Sequence, residues 1–308
     1  MSVFEKVCTL LSSLEKEGKI RSEEYELCEK YSLARLTSFK TGGVATVLFP
    51  ETLSVAAAIY PLLKKEDIPI FVLGNGSNVI ARDEGYDGLI LSLIRLKKTQ
   101  VSDVCITAES GALLTTVATL AQRNALTGME ALYGIPGTVG GAVFMNAGAY
   151  GTECRDVLAF VNCITSSGEF KTYSVDELAL GYRTSRFEES DDLILSATFR
   201  LKKGKAEEIR AAMDDFMARR VEKQPLEYPS AGSTFKRYEG RFTAQLIDEN
   251  GLKGYRHGGA MVSEKHAGFV INYDHATSSD IFAVIEKVQE TIFESEGIRI
   301  QREVRIIE

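Results

Sequence analysis

Residues 134–151 read GIPGTVGGAVFMNAGAYG, and the prediction of the fold starts from this stretch. It holds six glycines and three alanines within eighteen positions. Glycine lacks a Cβ, so it allows the backbone to approach a ligand closely and to adopt positive φ. A Walker loop would end in Gly-Lys-Ser or Gly-Lys-Thr, and neither tripeptide occurs in the chain. The stretch predicts backbone binding of a phosphate-bearing cofactor, and a glycine-rich packing segment is the alternative interpretation.

A second glycine segment, LGNGSNVIARD, occupies residues 73–83 and follows the apolar run IPIFVLG, which predicts a strand. A dinucleotide-binding fingerprint would need a third glycine at Val79 and then a helix. The chain instead continues to GLILSL, another predicted strand, so the Rossmann fold is excluded. The amides of residues 74–77 and the hydroxyl of Ser77 suit a pyrophosphate. A plain turn between two strands fits the same residues.

Outside these segments, hydrophobic periodicity predicts helices at the N-terminus, from Thr52 to Glu66, within residues 202–225 and from Ser279 to Glu296. The segment LTSFKTGGVATVLFP, residues 36–50, is predicted as a loop. Further strands are predicted in VCITAES, in a hairpin FVNCITSSGEFKTYS, in DDLILSATFRL, in AGFVIN and in the C-terminal tail. Because strands often follow one another without a helix between them, the predicted class is α+β. We expect a first domain at residues 1–206, joined by the tail 299–308, and a second at 207–298.

Composition excludes several classes of protein. The 308 residues are 44% hydrophobic and 26% charged, as in an ordinary globular protein. The net charge of −7 argues against general binding of nucleic acid or of an anionic membrane surface. No apolar run approaches the ~18 residues of a membrane helix. Glu5 and Lys6 interrupt the place of a signal-peptide core, so a cytoplasmic location is expected.

Cysteine and histidine spacing gives no sign of a metal site. The five cysteines are widely separated and form no C-x-x-C pair, which argues against both a disulfide framework and zinc. The three histidines, at 257, 266 and 275, share no helical face and no H-E-x-x-H occurs. Reduced thiols and no bound metal are therefore expected.

Six motifs in a fixed order carry a resemblance to a known family. They are LGNGSN, GIPGTVGGAVFMNAGAYG, LGYRTSRF, PSAGSTFKR, KGYRHGGAMVSEKHAGFVIN and the terminal REVRII. From about Leu36 to the C-terminus the chain resembles the UDP-N-acetylenolpyruvoylglucosamine reductases, also called UDP-N-acetylmuramate dehydrogenases. The close spacing of Arg183 and Ser233 is similar to the shorter subtype, which lacks an inserted substrate-covering loop.

The resemblance implies an FAD-binding domain of the vanillyl-alcohol-oxidase type and a separate α+β substrate-binding domain. It implies that NADPH reduces the FAD, and that the enolpyruvyl sugar nucleotide then receives a hydride at its β-carbon and a proton at its α-carbon. The product would be UDP-N-acetylmuramate, a precursor of bacterial peptidoglycan and thus of cell wall, cell shape and cell division. No histidine shows a flanking signature for covalent attachment, so noncovalent FAD is expected. The oligomeric state is left open.

Three residues match the catalytic motifs of the family. Ser233 matches the serine that protonates the α-carbon, which requires contact with a strongly basic carbanion or enolate because a hydroxyl is a poor acid. Arg183 matches the arginine beside the substrate carboxylate, where a guanidinium can hold accumulating negative charge. Glu303 matches a glutamate that assists the same intermediate. Taken alone, these residues would be a turn serine, a surface arginine and an exposed strand glutamate, so the assignment depends on the motifs.

The remaining site predictions are assigned by motif. Cofactor contacts are predicted at Gly42, Gly74, Asn75, Gly76, Ser77, Asn78, Ile135, Pro136, Gly137, Thr138, Gly140, Gly141, Asn146, Gly148, Ala149 and Tyr150. Substrate contacts are predicted at Tyr182, Arg219, Lys223, Lys236 and Arg237. The stretch from Arg219 to Arg241 holds six cations and three carboxylates, which suits the UDP diphosphate, although a solvated basic face is the alternative. No role follows from the resemblance for Lys40.

Two other functions remain open. An FAD-linked oxidase of the same fold, acting on a sugar or a hydroxy acid, would share the glycine segments but would not be reduced by NADPH. A non-catalytic module that binds FAD or a sugar nucleotide would also share them. The joint presence of Ser233, Arg183 and Glu303 favours the reductase over such a module.

Overall fold

The computed structural model describes all residues from 1 to 308. Its helices are α1 Val3–Lys16, α2 Leu53–Lys65, α3 Leu114–Arg123, α4 Val139–Phe144, α5 Ala206–Lys223, α6 Thr243–Glu249 and α7 Ser278–Glu296. Its first nine strands are β1 Tyr25–Ser32, β2 Val44–Pro50, β3 Ile70–Leu73, β4 Val79–Ala81, β5 Tyr86–Ser92, β6 Thr99–Ser102, β7 Cys105–Glu109, β8 Leu126–Thr127 and β9 Gly148–Ala149. The other nine are β10 Thr152–Glu153, β11 Leu158–Ile164, β12 Phe170–Ser174, β13 Leu193–Arg200, β14 Lys202–Lys203, β15 Arg256–His257, β16 Ala260–Val262, β17 Val270–Asn272 and β18 Arg305–Ile307. The predicted α+β class is confirmed.

The chain divides into two compact units. The first unit comprises Met1–Glu29, Thr46–Asn75 and Gly88–Ala218. The second unit comprises Lys30–Ala45, Gly76–Asp87 and Arg219–Glu308. Each unit is therefore assembled from three separate chain segments.

Two hydrophobic cores support the first unit. One lies around the five-stranded sheet, whose order is β12-β11-β13-β7-β6 and whose neighbouring strands are antiparallel. Helix α3 buries Leu114, Val117, Ala118 and Ala121 in this core. The other core contains α1 and α2 beside the sheet of order β1-β2-β5-β3, where β3 and β5 run parallel. Burying these apolar stripes is the main favourable term that holds the helices to the sheets.

In the second unit, α7 is the central helix. It buries Ile281, Val284, Ile285, Val288 and Ile292 on one face. This face packs in a core that also holds Ala260, Val262 and Val270 of the antiparallel sheet β15-β16-β17. Thr277 caps the N-terminus of α7 in a capping box with Asp280, and Gly297 ends it at φ +69°. Such caps satisfy backbone groups that a helix leaves free at its ends.

Several predicted elements are confirmed. The N-terminal helix buries Val7, Leu11 and Leu14, as its periodicity predicts. The hairpin at residues 158–174 forms with its turn at Gly168, and α7 ends at Gly297. The prediction of a loop across residues 36–50 is wrong over its second half, because β2 occupies Val44–Pro50 and is mostly buried. The glycine pair before β2 masked a strand pattern that starts immediately after it.

The boundaries of the two units differ from the predicted limits at 206 and 298. The tail strand β18 pairs in parallel with β4, Ile306 opposite Ile80, and both strands lie in the second unit. The division into an FAD-binding domain at 1–206 with 299–308 and a substrate-binding domain at 207–298 stays a prediction. None of the seven helices has the length and apolar character needed to cross a bilayer.

Candidate active site

In the first unit, the two glycine segments meet although about sixty residues separate them in sequence. Asn75 Nδ2 donates to the Pro136 carbonyl oxygen at 2.6 Å. A Cβ added to Gly74 would lie 2.2 Å from Thr138 Oγ1, a separation that real side chains do not adopt. The absence of a side chain at position 74 thus allows the two segments to touch.

The segment 137–141 is hydrogen-bonded to the chain at residues 110–114. Leu114 N donates to the Gly137 carbonyl oxygen at 3.0 Å, and Gly140 N donates to the Ser110 carbonyl oxygen at 2.8 Å. Thr138 then caps α4 by accepting from Gly141 N at 3.4 Å. Ile135 N donates to the Leu132 carbonyl oxygen at 3.1 Å. Backbone bonds therefore fix Gly137 and Gly140, and the Thr138 side chain fixes Gly141.

Backbone amides that are not used in secondary structure can bind phosphate groups, and the turn at residues 75–77 presents such amides. The backbone N–H groups of Asn75, Gly76 and Ser77 donate to no backbone carbonyl. Beside Gly140, the buried Ser110 Oγ has no hydrogen-bond partner in the protein. The free amides of Gly76 and Ser77 in the second unit suit a bound phosphate. In the first unit, the unsatisfied Ser110 hydroxyl beside the glycine segment suits a bound group with hydrogen-bonding atoms. The residues present therefore fit an FAD-type cofactor.

A tight hairpin carries the last predicted cofactor residues. Gly148 and Ala149 form β9, which pairs with β10, and the connecting residues Tyr150 and Gly151 have φ of +52° and +84°. Two positive φ values at a two-residue connection are typical of a type I′ hairpin. Tyr150 is 43% exposed and stacks on Phe216 with ring centroids 4.9 Å apart.

Arg183 lies at the tip of another two-residue turn, closed by the pairing of Gly181 with Thr184. Its φ is +54°, in the left-handed region that residues other than glycine seldom occupy. Its Nη2 donates to the Gly148 carbonyl oxygen at 3.1 Å, and its guanidinium lies over the exposed ring of Tyr182 at 5.1 Å. The structure thus brings Arg183, a predicted catalytic residue, and Tyr182, a predicted substrate contact, beside the hairpin that begins at Gly148.

The Asn146 side chain holds these loops together. Its Nδ2 donates to Glu153 Oε2 and to the Gly181 carbonyl oxygen, both at 2.9 Å, and its Oδ1 accepts from Arg155 N at 3.1 Å. The residue is 0% exposed. These three bonds make it a structural link in this conformation, and a contact to the cofactor stays a prediction.

In the second unit, the segment 36–43 packs along residues 76–82. Ser38 donates to the Gly76 carbonyl oxygen twice, from its N at 3.0 Å and from its Oγ at 3.1 Å. A Cβ on Gly76 would lie 1.8 Å from the Leu36 carbonyl oxygen, and one on Gly42 would lie 2.6 Å from Ala81 Cβ. Gly42 and Gly76 are therefore required for close packing, independently of any ligand.

Ser233 and Glu303 lie on adjacent chain segments of the second unit. Glu303 N donates to the Thr234 carbonyl oxygen at 2.8 Å, and Lys236 N donates to the Gln301 carbonyl oxygen at 2.8 Å. On the other side, Thr234 N donates to the Gly268 carbonyl oxygen at 2.8 Å. The chain segment with Ser233 is thus held between the C-terminal segment and the loop before β17.

Asn78 joins the glycine turn to the same place. Its Nδ2 donates to the Glu303 carbonyl oxygen at 3.4 Å, and its own carbonyl accepts from Arg305 N at 3.1 Å. Glu303 is half-buried rather than exposed, although the alternation around Val304 and Ile306 made exposure its default. Arg183 belongs to the first unit, and Ser233 and Glu303 belong to the second.

The basic stretch has divided roles. Arg241 is paired with Glu249 at 2.5 Å and Glu296 at 3.1 Å, so it is a structural cation that anchors the ends of α6 and α7. Arg237 lies over the ring of the exposed Phe242 at 5.3 Å. Arg219 and Lys223 are exposed near the end of α5, and Lys236 is half-buried. Contacts of residues 219, 223, 236 and 237 with substrate stay predictions.

His266 and the cysteines have environments that disfavour charge. Burial lowers the pKa of His266, and its Nδ1 accepts from Gly268 N at 3.1 Å. The five cysteines are free, and burial raises the pKa of both Cys154 and Cys163 to about 12. A thiol with such a pKa is a poor nucleophile, so these two cysteines serve as apolar core residues.

Comparison with known proteins agrees with this geometry. Residues 44–174 match a family model described as an FAD binding domain. Residues 224–307 match the model of the C-terminal domain of UDP-N-acetylenolpyruvoylglucosamine reductase. A reductase of that name from Lactiplantibacillus plantarum is 46% identical over 92% of this chain and 94% of its own length. The chain belongs to the UDP-N-acetylenolpyruvoylglucosamine reductase family.

Further relatives extend this likeness. A Clostridium novyi protein of the same name is 44% identical over 97% of this chain and 98% of its own. The crystal structure of the Thermus caldophilus reductase, 32% identical, superposes with a TM-score of 0.79 over 92% of this chain and all of its own. The predictions of family, of an FAD-dependent oxidoreductase and of an FAD-binding domain joined to a second α+β domain are confirmed.

The roles of the individual site residues stay predictions. Two polar residues that hold the site were missed in the sequence, namely Thr234 and Asn272. Thr234 is 0% exposed, and its Oγ1 accepts from Val270 N at 3.0 Å. Asn272 Nδ2 donates to the Phe39 carbonyl oxygen at 2.9 Å. Both lie inside the motifs SAGSTFKR and HAGFVIN, so their position in the motifs was the available signal.

Proposed function

We propose that this chain reduces UDP-N-acetylenolpyruvoylglucosamine to UDP-N-acetylmuramate with NADPH. A hydride is added at the β-carbon of the enolpyruvyl group and a proton at its α-carbon, while NADPH is oxidised to NADP⁺. The reaction supplies a peptidoglycan precursor and takes place in the cytoplasm. The names of the relatives and the FAD-binding family model support this substrate and this cofactor.

One observation carries the proposal, namely the bond between Glu303 N and the Thr234 carbonyl oxygen at 2.8 Å. It places Ser233 and Glu303 on neighbouring segments, which two groups acting on one intermediate require. The Ser233 hydroxyl makes no hydrogen bond within the protein and is half-exposed. It is therefore available to deliver its proton to the substrate.

A noncovalent FAD would be held by the amides of the turn at residues 75–77 and by the segment 135–141. When bound, the flavin supplies the two-electron relay between the nicotinamide and the enolpyruvyl carbon. The protein's own groups then manage charge and protons. Arg183, fixed by its bond to Gly148, is suited to hold the substrate carboxylate, because a guanidinium binds a carboxylate in two-point geometry.

The basic residues support a diphosphate-bearing substrate. Lys223 and Lys236 lack a carboxylate partner, whereas Arg241 in the same stretch is paired twice. Cations without a partner are free to accept an anionic ligand without breaking an internal ion pair. We therefore place the UDP diphosphate near these two lysines.

The test separates the two half-reactions in a Ser233→Ala variant. Flavin reduction by NADPH under anaerobic stopped flow should stay within about twofold of wild type, since that step needs no proton from Ser233. Reoxidation by the enolpyruvyl substrate should slow by about 10²–10⁴-fold, the usual contribution of a positioned acid. Flavin absorbance follows both steps.

Ser230→Ala is the matched control, because Ser230 lies three residues away in the same segment and should leave both rates unchanged. Equal losses in the two half-reactions of Ser233→Ala would mean that Ser233 is structural. If NADPH leaves the wild-type flavin oxidised, the protein is an oxidase of the same fold. If NADPH reduces it and no substrate reoxidises it, the protein is a binding module.

A further inference from the structure

Lys40 adopts a strained backbone conformation that its surroundings enforce. Its φ is +58°, where a long side chain is unfavourable compared with glycine. Every neighbour is anchored: Thr37 Oγ1 donates to the Thr41 carbonyl oxygen at 3.0 Å, Ser38 donates to Gly76, and Phe39 accepts from Asn272. Lys40 N itself donates to the Thr37 carbonyl oxygen at 3.1 Å, which closes a local turn, and the retention of a lysine rather than a glycine at this φ raises the question of what its side chain does.

The register of the segment places Lys40 beside the glycine turn. Ser38 bonds to Gly76, and Gly42 packs on Ala81, so the residue midway between them lies along residues 77–80. All these residues belong to the second unit. Ser77 begins this stretch and Gly76 directly precedes it, and the amides of both residues donate to no backbone carbonyl.

The charge of Lys40 is not used within the protein. Its side chain is exposed, and it takes part in none of the ion pairs that Arg82, Arg241, Lys253 and Lys265 form in the second unit. Directly after it, the Thr41 Oγ1 is buried and has no hydrogen-bond partner. A cation and a hydroxyl, both without internal partners, thus flank a turn with free amides.

We propose that Lys40 is the cation that neutralises the diphosphate of FAD at the turn formed by Gly76 and Ser77. The backbone amides donate directional hydrogen bonds to phosphate oxygens, and Lys40 adds a full positive charge. The two contributions together favour a doubly charged group over a neutral one. The strained φ is kept because a glycine at this position would remove the charge. This inference rests on the proposed function only for the identity of the flavin.

The experiment measures flavin binding to the apoprotein by quenching of flavin fluorescence. Lys40→Gln should weaken FAD binding about 10-fold, the equivalent of one charged contact, and should make the dependence on salt less steep. Binding of riboflavin, which has no phosphate, should change less than about twofold. Lys30→Gln is the matched control, since Lys30 is an exposed lysine of the same unit. It should bind FAD like the wild type.

A second variant separates function from structure. Lys40→Gly relieves the strained φ, so the thermal unfolding midpoint of the apoprotein should stay equal or rise while FAD affinity falls as in Lys40→Gln. A structural role would move both quantities in the same direction.

Three results would overturn the inference: unchanged FAD affinity in both Lys40 variants, equal weakening for FAD and riboflavin, or intact FAD binding with a raised KM for NADPH or for the sugar nucleotide. Failure of the proposed function looks different, because the wild type would then bind FAD without being reduced by NADPH.

Discussion

Left-handed backbone at residues other than glycine marks several places where chemistry is expected. Of these positions, Asn146, Tyr150 and Arg183 belong to the predicted site, and Lys40 lies beside it. For Tyr150 the hairpin geometry is a sufficient cause. Arg183 lies in a two-residue turn of the same kind, and Lys40 closes a turn through its N–H and the Thr37 carbonyl oxygen, but these two residues carry long cationic side chains.

Asn272 is the polar residue on which the Lys40 segment depends, and its removal should be costly. The residue is 8% exposed, donates to the Phe39 carbonyl oxygen and accepts from Ala276 N at 2.8 Å. Asn272→Ala leaves both buried partners unsatisfied, at about 1–3 kcal/mol each. We expect the free energy of unfolding of the apoprotein in urea to fall by about 2–4 kcal/mol.

Gln245→Ala is the control for that measurement. Its amide donates to Glu249 at 2.7 Å on the exposed face of α6, where a lost bond is replaced by water. The change should stay within about 0.5 kcal/mol. If Asn272→Ala has an equally small effect, its two buried bonds do not stabilise the segment.

At the scale of elements, local patterns in the sequence were sufficient for most helices and strands. The periodicity of α1, α2 and α7 and the alternation of β11 and β12 are local signals, and the structure follows them. Strand β2 was missed because Gly42 and Gly43 precede it directly, and glycine pairs ordinarily predict a turn. Helix α4 has only six residues, two of them glycine, so it shows no periodicity.

The site itself could be predicted as motifs but not as contacts. The bonds Glu303–Thr234 and Asn75–Pro136 join residues about sixty-nine and sixty-one positions apart. Such pairings follow from the packing of whole sheets and helices, and no local pattern encodes them. The partners Thr234 and Asn272 were missed for the same reason, because a threonine or an asparagine in a motif gives no sign of what it binds.

The contact between the two glycine segments can be tested by a double-mutant cycle. Gly74→Ala puts a methyl group 2.2 Å from Thr138 Oγ1, which must displace the cap of α4. We expect a loss of about 1–3 kcal/mol in the free energy of unfolding, the usual cost of overpacking. Removing the Thr138 side chain in Gly74→Ala/Thr138→Ala should recover a large part of this loss, so the two changes should be non-additive.

Thr138→Ala alone provides the baseline of the cycle, with an expected cost of about 0.5–2 kcal/mol for the lost cap. Additive losses in the double variant would contradict the close approach of Gly74 and Thr138, and would place the cost of Gly74→Ala elsewhere.

For the whole molecule, the net charge of −7 is an average over regions with different charge. It is compatible with an anionic ligand because Lys40, Lys223 and Lys236 are cations without carboxylate partners. Many of the ion pairs lie on the surface with both side chains exposed, for example Lys19–Glu17, Arg21–Glu23 and Lys205–Glu208. An exposed ion pair of this kind contributes little to the stability of the fold. Lys40, Lys223 and Lys236 can therefore accept an anion without breaking an ion pair, and their contacts with a ligand stay predictions.

The pH dependence of stability offers a test for the molecule as a whole. Burial lowers the pKa of His266 in the folded chain below the value of about 6.5 that it has when unfolded. Below that value the unfolded chain binds the proton more readily than the folded chain. The contribution of His266 to the free energy of unfolding is therefore complete above pH 6.5. It is lost as the pH falls toward the folded pKa, by at most about 1.4 kcal/mol per pH unit.

Urea unfolding of the wild type and of His266→Asn at pH 8, 7, 6 and 5 measures this contribution, since the carboxylates titrate alike in both proteins. We expect the wild type to lose more stability than the variant between pH 7 and 5. Parallel curves over this range would mean that the imidazole titrates equally in both states.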